Sequence, residues 1–238
     1  MIDLEKLVHL QGAILWLPCT ILLFAASSAL YRKLNKTPFA NPTLLTVTGL
    51  VVMLASAGMP YQSYFESVAV LHYLLGTAVV ALALPLYRNA CRLKGRHTGM
   101  AAALLAGSLT SVLVGLAVAT LAHASASTVL SIAPKSATAA VSMEISRLIG
   151  GAPAVTATLT ILTGIIGAIT GPYVLDVLRI REPEARGFAM GVASHGIATA
   201  RAFSEGEVAG SFAGLGMVFN AILTALVVPP VVRLLGYG

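Results

Sequence analysis

Ser131-Ile132-Ala133-Pro134-Lys135-Ser136-Ala137-Thr138 lies at the centre of an apolar run extending from Thr128 to Ile149. A proline, a lysine and three hydroxyls are poorly suited to the middle of a plain membrane-spanning helix. Pro134 lacks an N–H and its ring clashes with the preceding turn, so the helix should break there. The break frees backbone groups that hydrocarbon cannot satisfy. The hydroxyls and Lys135 are therefore expected to line a protein-walled, hydrated cavity. Such a cavity suits a small anion.

The rest of the chain fits a bilayer. Of 238 residues, 57% are hydrophobic and 10% charged, whereas soluble domains carry about a quarter charged residues. Mean hydropathy is +0.88. At about 20 residues per span, the chain has room for roughly six to eight segments. Twenty-two glycines allow close helix approach. The net charge of +6 falls mostly in short loops, where Lys and Arg set topology, so nucleic acid is not indicated. Cys19 and Cys91 have neither metal nor redox spacing, and no disulfide is indicated. The apolar run after the mixed-charge Met1–His9 reads as a retained helix rather than a signal peptide.

Eight segments follow. The first runs from about Gln11 to Leu30 and ends in the basic loop Tyr31–Lys36. The second, Asn41–Ala57, opens on Asn41-Pro42, a cap followed by a first-turn proline. A loop without Lys or Arg, Gly58–Glu66, leads to the third, Val68–Tyr87. Arg88, Arg92, Lys94 and Arg96 make the next loop the most basic. The fourth segment, Gly99–Leu121, contains nothing charged, and the loop His123–Ser127 has no Lys or Arg. Segment six is Val155–Leu175 and segment eight Val208–Val232.

The positive-inside rule places the loops at 31–37 and 88–97 in the cytoplasm and the N-terminus outside. The basic run Arg179–Arg186 shares their side if segment five is a re-entrant hairpin; the alternative is a straight crossing with one exception to the rule. Segment seven, Gly187–Ser204, is interrupted around Ser194-His195-Gly196 and carries Arg201. Two broken segments, each followed by a plain one and entered from opposite sides, form the pattern of an inverted repeat with its site at the repeat interface.

Lys135 is the leading site residue, because an intramembrane charge is a functional hypothesis by default. The alternative is a lysine that snorkels or neutralises a structural carboxylate. Ser136 and Thr138 are candidates to bond a substrate or cap the second half-helix. Glu144 and Arg147, three apart, predict a local ion pair; Glu144 is otherwise a proton-coupling candidate. In the second cluster, Gly196 permits an unusual φ, His195 titrates near neutral pH, and Arg201 fits a carboxylate with two parallel bonds. Ser194 joins them as a hydrogen-bonding group. The competing reading is a buried His bonded to a carbonyl and an Arg that answers Glu205 or Glu207. Gly167-x-x-x-Gly171, Gly187-x-x-x-Gly191 and Gly210-x-x-x-Gly214 suit helix packing. Asn220 and Thr163 read as interhelical glue. His72, His97 and His123 form no metal set, and no Walker, zinc or nucleophile-elbow motif occurs.

Pro134-Lys135-Ser136-x-Thr138, Met143-Glu144-Ile145-Ser146 and Ser194-His195-Gly196-Ile197-x-Thr199-Ala200-Arg201-Ala202 resemble the LrgB/CidB/YohK family, over nearly the whole chain. Leu74-Leu75-Gly76, Ala83-Leu84-Pro85-Leu86-Tyr87 and Asn41-Pro42 resemble it too. The family pattern often has proline where this chain has Ala139 or Ala140, glycine at Ala198 and proline at Thr77. Alanines at 139 and 140 favour a more regular second half-helix. The resemblance implies a bacterial inner-membrane, multi-pass protein and two functions. One is antiholin-like modulation of murein hydrolase export and cell lysis. The other is small-monocarboxylate transport, since the plastid glycolate/glycerate translocator carries a similar domain and bacterial relatives are linked to pyruvate uptake. A small LrgA/CidA-type membrane partner, or a homodimer, is also implied by the resemblance alone.

The expected fold is therefore all-α and polytopic, a single domain over 1–238, with about six transmembrane helices and two broken or re-entrant segments. The expected function is transport of a small carboxylate anion across the lipid bilayer by alternating access, without a cofactor or metal. Lys135, Ser136, Thr138, Ser194, Gly196 and Arg201 would bind the solute, and His195 or Glu144 would couple protons. The rival is a regulator that transports nothing. An intramembrane enzyme lacks a nucleophile–base set.

Overall fold

The computed structural model describes residues 4–34 and 40–237, which are helical apart from turns and short connections. The basic loop expected at 31–36 lies partly outside these residues. Two compact units divide the chain at Ala81–Leu82.

The first unit holds α1 (Leu4–Lys33), α2 (Pro42–Ser56), α3 (Tyr61–Ser67) and α4 (Ala69–Ala81). Asn41 caps α2 as its sequence suggests: its side-chain oxygen accepts from Thr43 N and Leu44 N at 2.9 and 3.3 Å. Gly49 of α2 faces Leu23 of α1 so closely that a Cβ there would come within 2.9 Å of it. The stretch expected as a loop after α2 instead forms α3, bent by 118° from α2. The reason is aromatic. Tyr64 packs edge-on against Trp16 with ring centroids 5.8 Å apart, and its hydroxyl bonds Thr20 Oγ1 at 3.0 Å. The expected third segment is also not one helix. It divides at Leu82 into α4 and α5 (Ala83–Arg88), with Pro85 in the first turn of α5, where proline is tolerated. Four described helices are long and apolar enough to cross a membrane, or five if the bent α2–α3 pair counts. That is fewer than the six plain spans expected.

The second unit contains α5, a 3-10 turn at Ala90–Leu93, and six further helices. Three are full-length: α6 (His97–Leu121, 25 residues), α9 (Pro153–Val177, 25 residues) and α11 (Glu207–Leu234, 28 residues). At 1.5 Å per residue these reach about 37 to 42 Å, enough for a hydrocarbon core of about 30 Å. Between them lie the two interrupted segments.

Segment five is a hairpin. α7 (Ala126–Ile132) and α8 (Ala139–Leu148) flank the break at 133–138. Ser142 Oγ donates to Pro134 O at 2.7 Å, and Ala152 N donates to Ser131 Oγ at 2.8 Å. These pairs step in opposite directions along the chain, so α8 returns beside α7. Gly150, at φ +85°, makes the turn that leads out of the hairpin, and a Cβ on Gly151 would run into Ser146 Oγ. Thr156 Oγ1 donates to Ser131 O at 3.0 Å, which ties the hairpin to α9.

Segment seven, α10 (Pro183–Phe203), is a second hairpin folded at Ser194 (φ −146°, ψ 26°) and His195 (φ 44°, ψ −139°). Its first half runs antiparallel to α9, with Met190 opposite Gly171 and Ser194 opposite Gly167. Its second half comes back, so that Glu205 meets Arg186 at 3.0 Å. Gly187 and Gly191 lie directly on the main-chain carbonyls of Ala209 and Ala213 in α11, where no Cβ would fit. This is the close approach that their spacing predicts.

The two hairpins insert from opposite ends of the unit. Arg92, Asp176, Glu184, Arg186 and Glu205 gather at one end, the basic-loop end. The connections at 122–125 and 150–152 lie at the other. An apolar cluster of Val112, Leu116, Ala119, Val129, Leu130, Ile145, Val228 and Val232 fills the space toward that second end.

Candidate functional site

Both hairpin tips pack against the middle of the full-length helices, the first on Asn220 of α11 and the second on Thr160 of α9. Ser136, in the first tip, is fully buried; its carbonyl and hydroxyl accept from Asn220 Nδ2 of α11 at 3.0 and 3.3 Å. His195, in the second tip, is buried, with Nε2 2.9 Å from Thr160 O of α9. Gly164 makes room for the imidazole and Gly167 for Ser194 Oγ; a Cβ at either would collide with those side chains.

Lys135 reaches sideways from the first tip to α6. Its ammonium donates to Ser111 O at 2.8 Å and to Ser111 Oγ at 3.1 Å, lying over Gly115. It makes no ion pair among the described residues. Thr138 occupies the N-cap position of α8 with β-region angles (φ −65°, ψ 151°), but its hydroxyl makes no cap bond. The first-turn N–H groups of α8 therefore lack a side-chain acceptor and add partial positive charge beside Lys135. α8 begins at Ala139, in accord with its two alanines.

Several buried side-chain atoms here have no hydrogen-bond partner among the described residues: Ser108 Oγ, Thr160 Oγ1, Asn220 Oδ1 and Thr224 Oγ1. Thr160 of α9 bonds the second tip, and Asn220 of α11 the first. Ser108 lies one turn before Ser111. In a dry interior each orphaned group would cost about 1–3 kcal/mol. Their grouping fits a site that exchanges polar contacts with water or a solute.

Other expected site residues lie elsewhere. Glu144 is exposed and pairs with Arg147 (Nη2–Oε1 2.5 Å), the local pair its spacing predicts. Arg201 lies six residues past His195, about 9 Å down the returning half-helix, away from the tip. Glu205 is taken by Arg186 rather than Arg201. The unusual φ belongs to His195, not to Gly196. The imidazole's bond to Thr160 and the fit against Gly164 hold the histidine in a backbone region that costs about 1–3 kcal/mol. Thr163 bonds its own helix at Leu159 O.

Ser111, Gly115, Thr160 and Gly164 are site residues that the sequence reading missed. Their signal is a polar-or-small face: Ser108, Ser111 and Gly115 recur at helical spacing within an otherwise apolar α6, as do Thr156, Thr160, Gly164 and Gly167 in α9. Only one charge marks either face, and that charge, Lys135, belongs to a different segment.

At the basic-loop end, Arg92 Nη1 donates to Glu184 Oε1 at 2.8 Å. The Arg92 hydrogen bond, helped by backbone bonding, holds the Glu184 carboxyl below the ordinary carboxylate range despite its burial. This pair fastens the base of the second hairpin to the basic loop.

The chain matches the LrgB-like family over residues 20–234. A protein of Staphylococcus epidermidis named holin-like protein CidB is 30% identical over 222 residues, covering 93% of this chain and 96% of its own. The uncharacterized protein YwbG of Bacillus subtilis is 32% identical over 210 residues, covering 88% and 93%. An uncharacterized protein of Haemophilus influenzae is 32% identical over 227 residues, covering 95% and 98%. No solved structure matches the chain.

Proposed function

We propose that this chain, which belongs to the LrgB-like family, uses its paired hairpins to move a small carboxylate across the bilayer. One observation carries this reading: Lys135 sits in the tip of the first of two oppositely inserted hairpins, bonded to Ser111 and without an ion pair among the described residues. An ammonium in a low-dielectric interior with no counter-charge is costly. A carboxylate bound at Lys135 Nζ would supply that charge. Ser111, Ser136 and the free N–H groups at the start of α8 would hold its remaining oxygens. His195 is the buried group best placed to carry a coupled proton, and Glu144, exposed and paired, is poorly placed. The substrate class is glycolate, pyruvate or lactate, small enough to lie between the tips.

Transport would follow from the architecture. Hairpins from opposite ends, packed on continuous helices, open the centre to one side when either withdraws. Uptake of labelled glycolate, pyruvate and lactate into proteoliposomes, compared between the wild type and Lys135→Ala, tests the reading.

The names of the staphylococcal relatives favour a second reading at least as strongly. They are called holin-like, which suits a regulator of cell lysis acting with a small membrane partner and moving no solute. Under that reading Lys135→Ala leaves the lysis phenotype intact, and wild-type protein takes up none of the three anions.

A further inference from the structure

A cleft of about 860 Å³ runs between α6 and the first half of α10. Arg96 and Glu184 stand at its mouth, at the basic-loop end. Ala103, Gly107, Phe188 and Val192 form its walls. Its deep end reaches Ser111 and Ala193. Ser111 is the group to which the Lys135 ammonium donates, and Ala193 precedes the Ser194–His195 break. The cleft thus connects the basic-loop end to both hairpin tips. Beyond the tips, the apolar cluster of Val112, Leu116, Val129, Leu130 and Val228 is closed: Val112 and Val228 have no exposed surface.

We propose that this cleft is the passage by which a small monoanion reaches Lys135 from the basic-loop side, and that the structure is the state open to that side and sealed on the other. The inference rests on the transport reading and adds a route, a direction and a charge limit. The charge limit follows from the lining. At the mouth Arg92 answers Glu184, which leaves Arg96 as the cation lining the entrance, and beside the floor the Lys135 ammonium offers a single charge. Apolar walls suit a short carbon body. A dicarboxylate or phosphate ester would bring a second charge to a floor where Lys135 offers one. By the positive-inside rule the open side is the cytoplasm.

Cysteine accessibility tests the route without relying on uptake. In a chain with Cys19 and Cys91 replaced by serine, Ala103→Cys and Ala189→Cys place thiols on opposite walls. Both are conservative changes at exposed positions. An anionic, membrane-impermeant thiosulfonate is applied to vesicles of each orientation, with Lys94→Cys and His123→Cys as markers of the two faces. Both wall thiols should react at least tenfold faster from the face where Lys94→Cys reacts, and excess pyruvate should slow them. Equal reaction from both faces, or no reaction from the Lys94 face while the marker reacts, overturns the passage. Labelled walls in a protein that takes up no anion would retain the cleft and refute transport. Uptake with unreactive walls would retain transport and refute this route.

Discussion

Ala152 N donates to Ser131 Oγ at 2.8 Å across 21 residues of chain. This bond brings the exit of α8 back to the last turn of α7, so segment five enters and leaves at one end of the unit. The basic run at 179–186 then falls at the same end as the basic loop at 88–97, and Arg92 meets Glu184 there.

Topology follows from that bond. Cysteines at His123 and Arg147 should be labelled by impermeant maleimide from one face, and cysteines at Lys94 and Arg181 from the other. Arg147 labelled together with Lys94 would mean that segment five crosses, and the hairpin would be wrong.

The second tip depends on glycine. A Cβ on Gly167 would occupy the position of Ser194 Oγ. Gly167→Ala should cost about 1–3 kcal/mol through overpacking, read as a lowered midpoint of thermal unfolding in detergent. Ser194→Gly in the same chain should recover much of the loss, and a coupling energy near zero in the double-mutant cycle would show that the contact does not matter.

The histidine backbone makes a related prediction. At φ 44° and ψ −139°, a combination that L side chains rarely adopt, the backbone is strained by roughly 1–3 kcal/mol. Both His195→Gly and His195→Ala lose the bond to Thr160 O. Glycine should nevertheless leave the protein about 1 kcal/mol more stable than alanine. Equal stabilities would mean that the strained conformation is not retained.

Much of this was legible in the sequence. Pro134 and Lys135 inside an apolar run announced the first tip, and loop charges announced a hairpin, because both signals are local. The second break was legible as Ser194-His195-Gly196, but the strained residue was misplaced. Glycine permits an unusual φ without requiring it, whereas the bond from His195 to Thr160 and the room at Gly164 are tertiary facts. Ser111 was missed for the same reason: a lone serine in an apolar helix gains meaning only when Lys135 folds onto it. Arg201 stands about 9 Å along the returning half-helix from His195, a placement that its side-chain chemistry alone does not reveal. Segment three was read as one span because apolar content does not reveal the break at Leu82.

The Arg92–Glu184 pair gives a pH dependence. The Glu184 carboxyl is held below its ordinary range in the folded protein, so the stabilisation is complete above the unfolded-state value of about 4.3. It is lost as pH falls through the lower folded value. Stability of the basic-loop end should therefore be flat from pH 7 to about 5 and fall in stronger acid. Glu184→Gln should remove that acid-side contribution. Arg92→Ala should cost about 1–3 kcal/mol, between an exposed pair and a buried one. An unchanged acid profile in Glu184→Gln would show that the pair contributes nothing.

The central claim is that Lys135 binds a small carboxylate between the tips. Its most direct measurement is initial uptake of labelled glycolate, pyruvate and lactate into proteoliposomes under an inward proton gradient, for the wild type, Lys135→Ala and Lys135→Arg. The account predicts saturable uptake of at least one anion by the wild type. It predicts a loss of tenfold or more in Lys135→Ala, with the half-saturation concentration raised, and partial uptake in Lys135→Arg, which keeps the charge but replaces the compact ammonium with a bulkier planar guanidinium. Saturable uptake undiminished in a folded Lys135→Ala protein would contradict it.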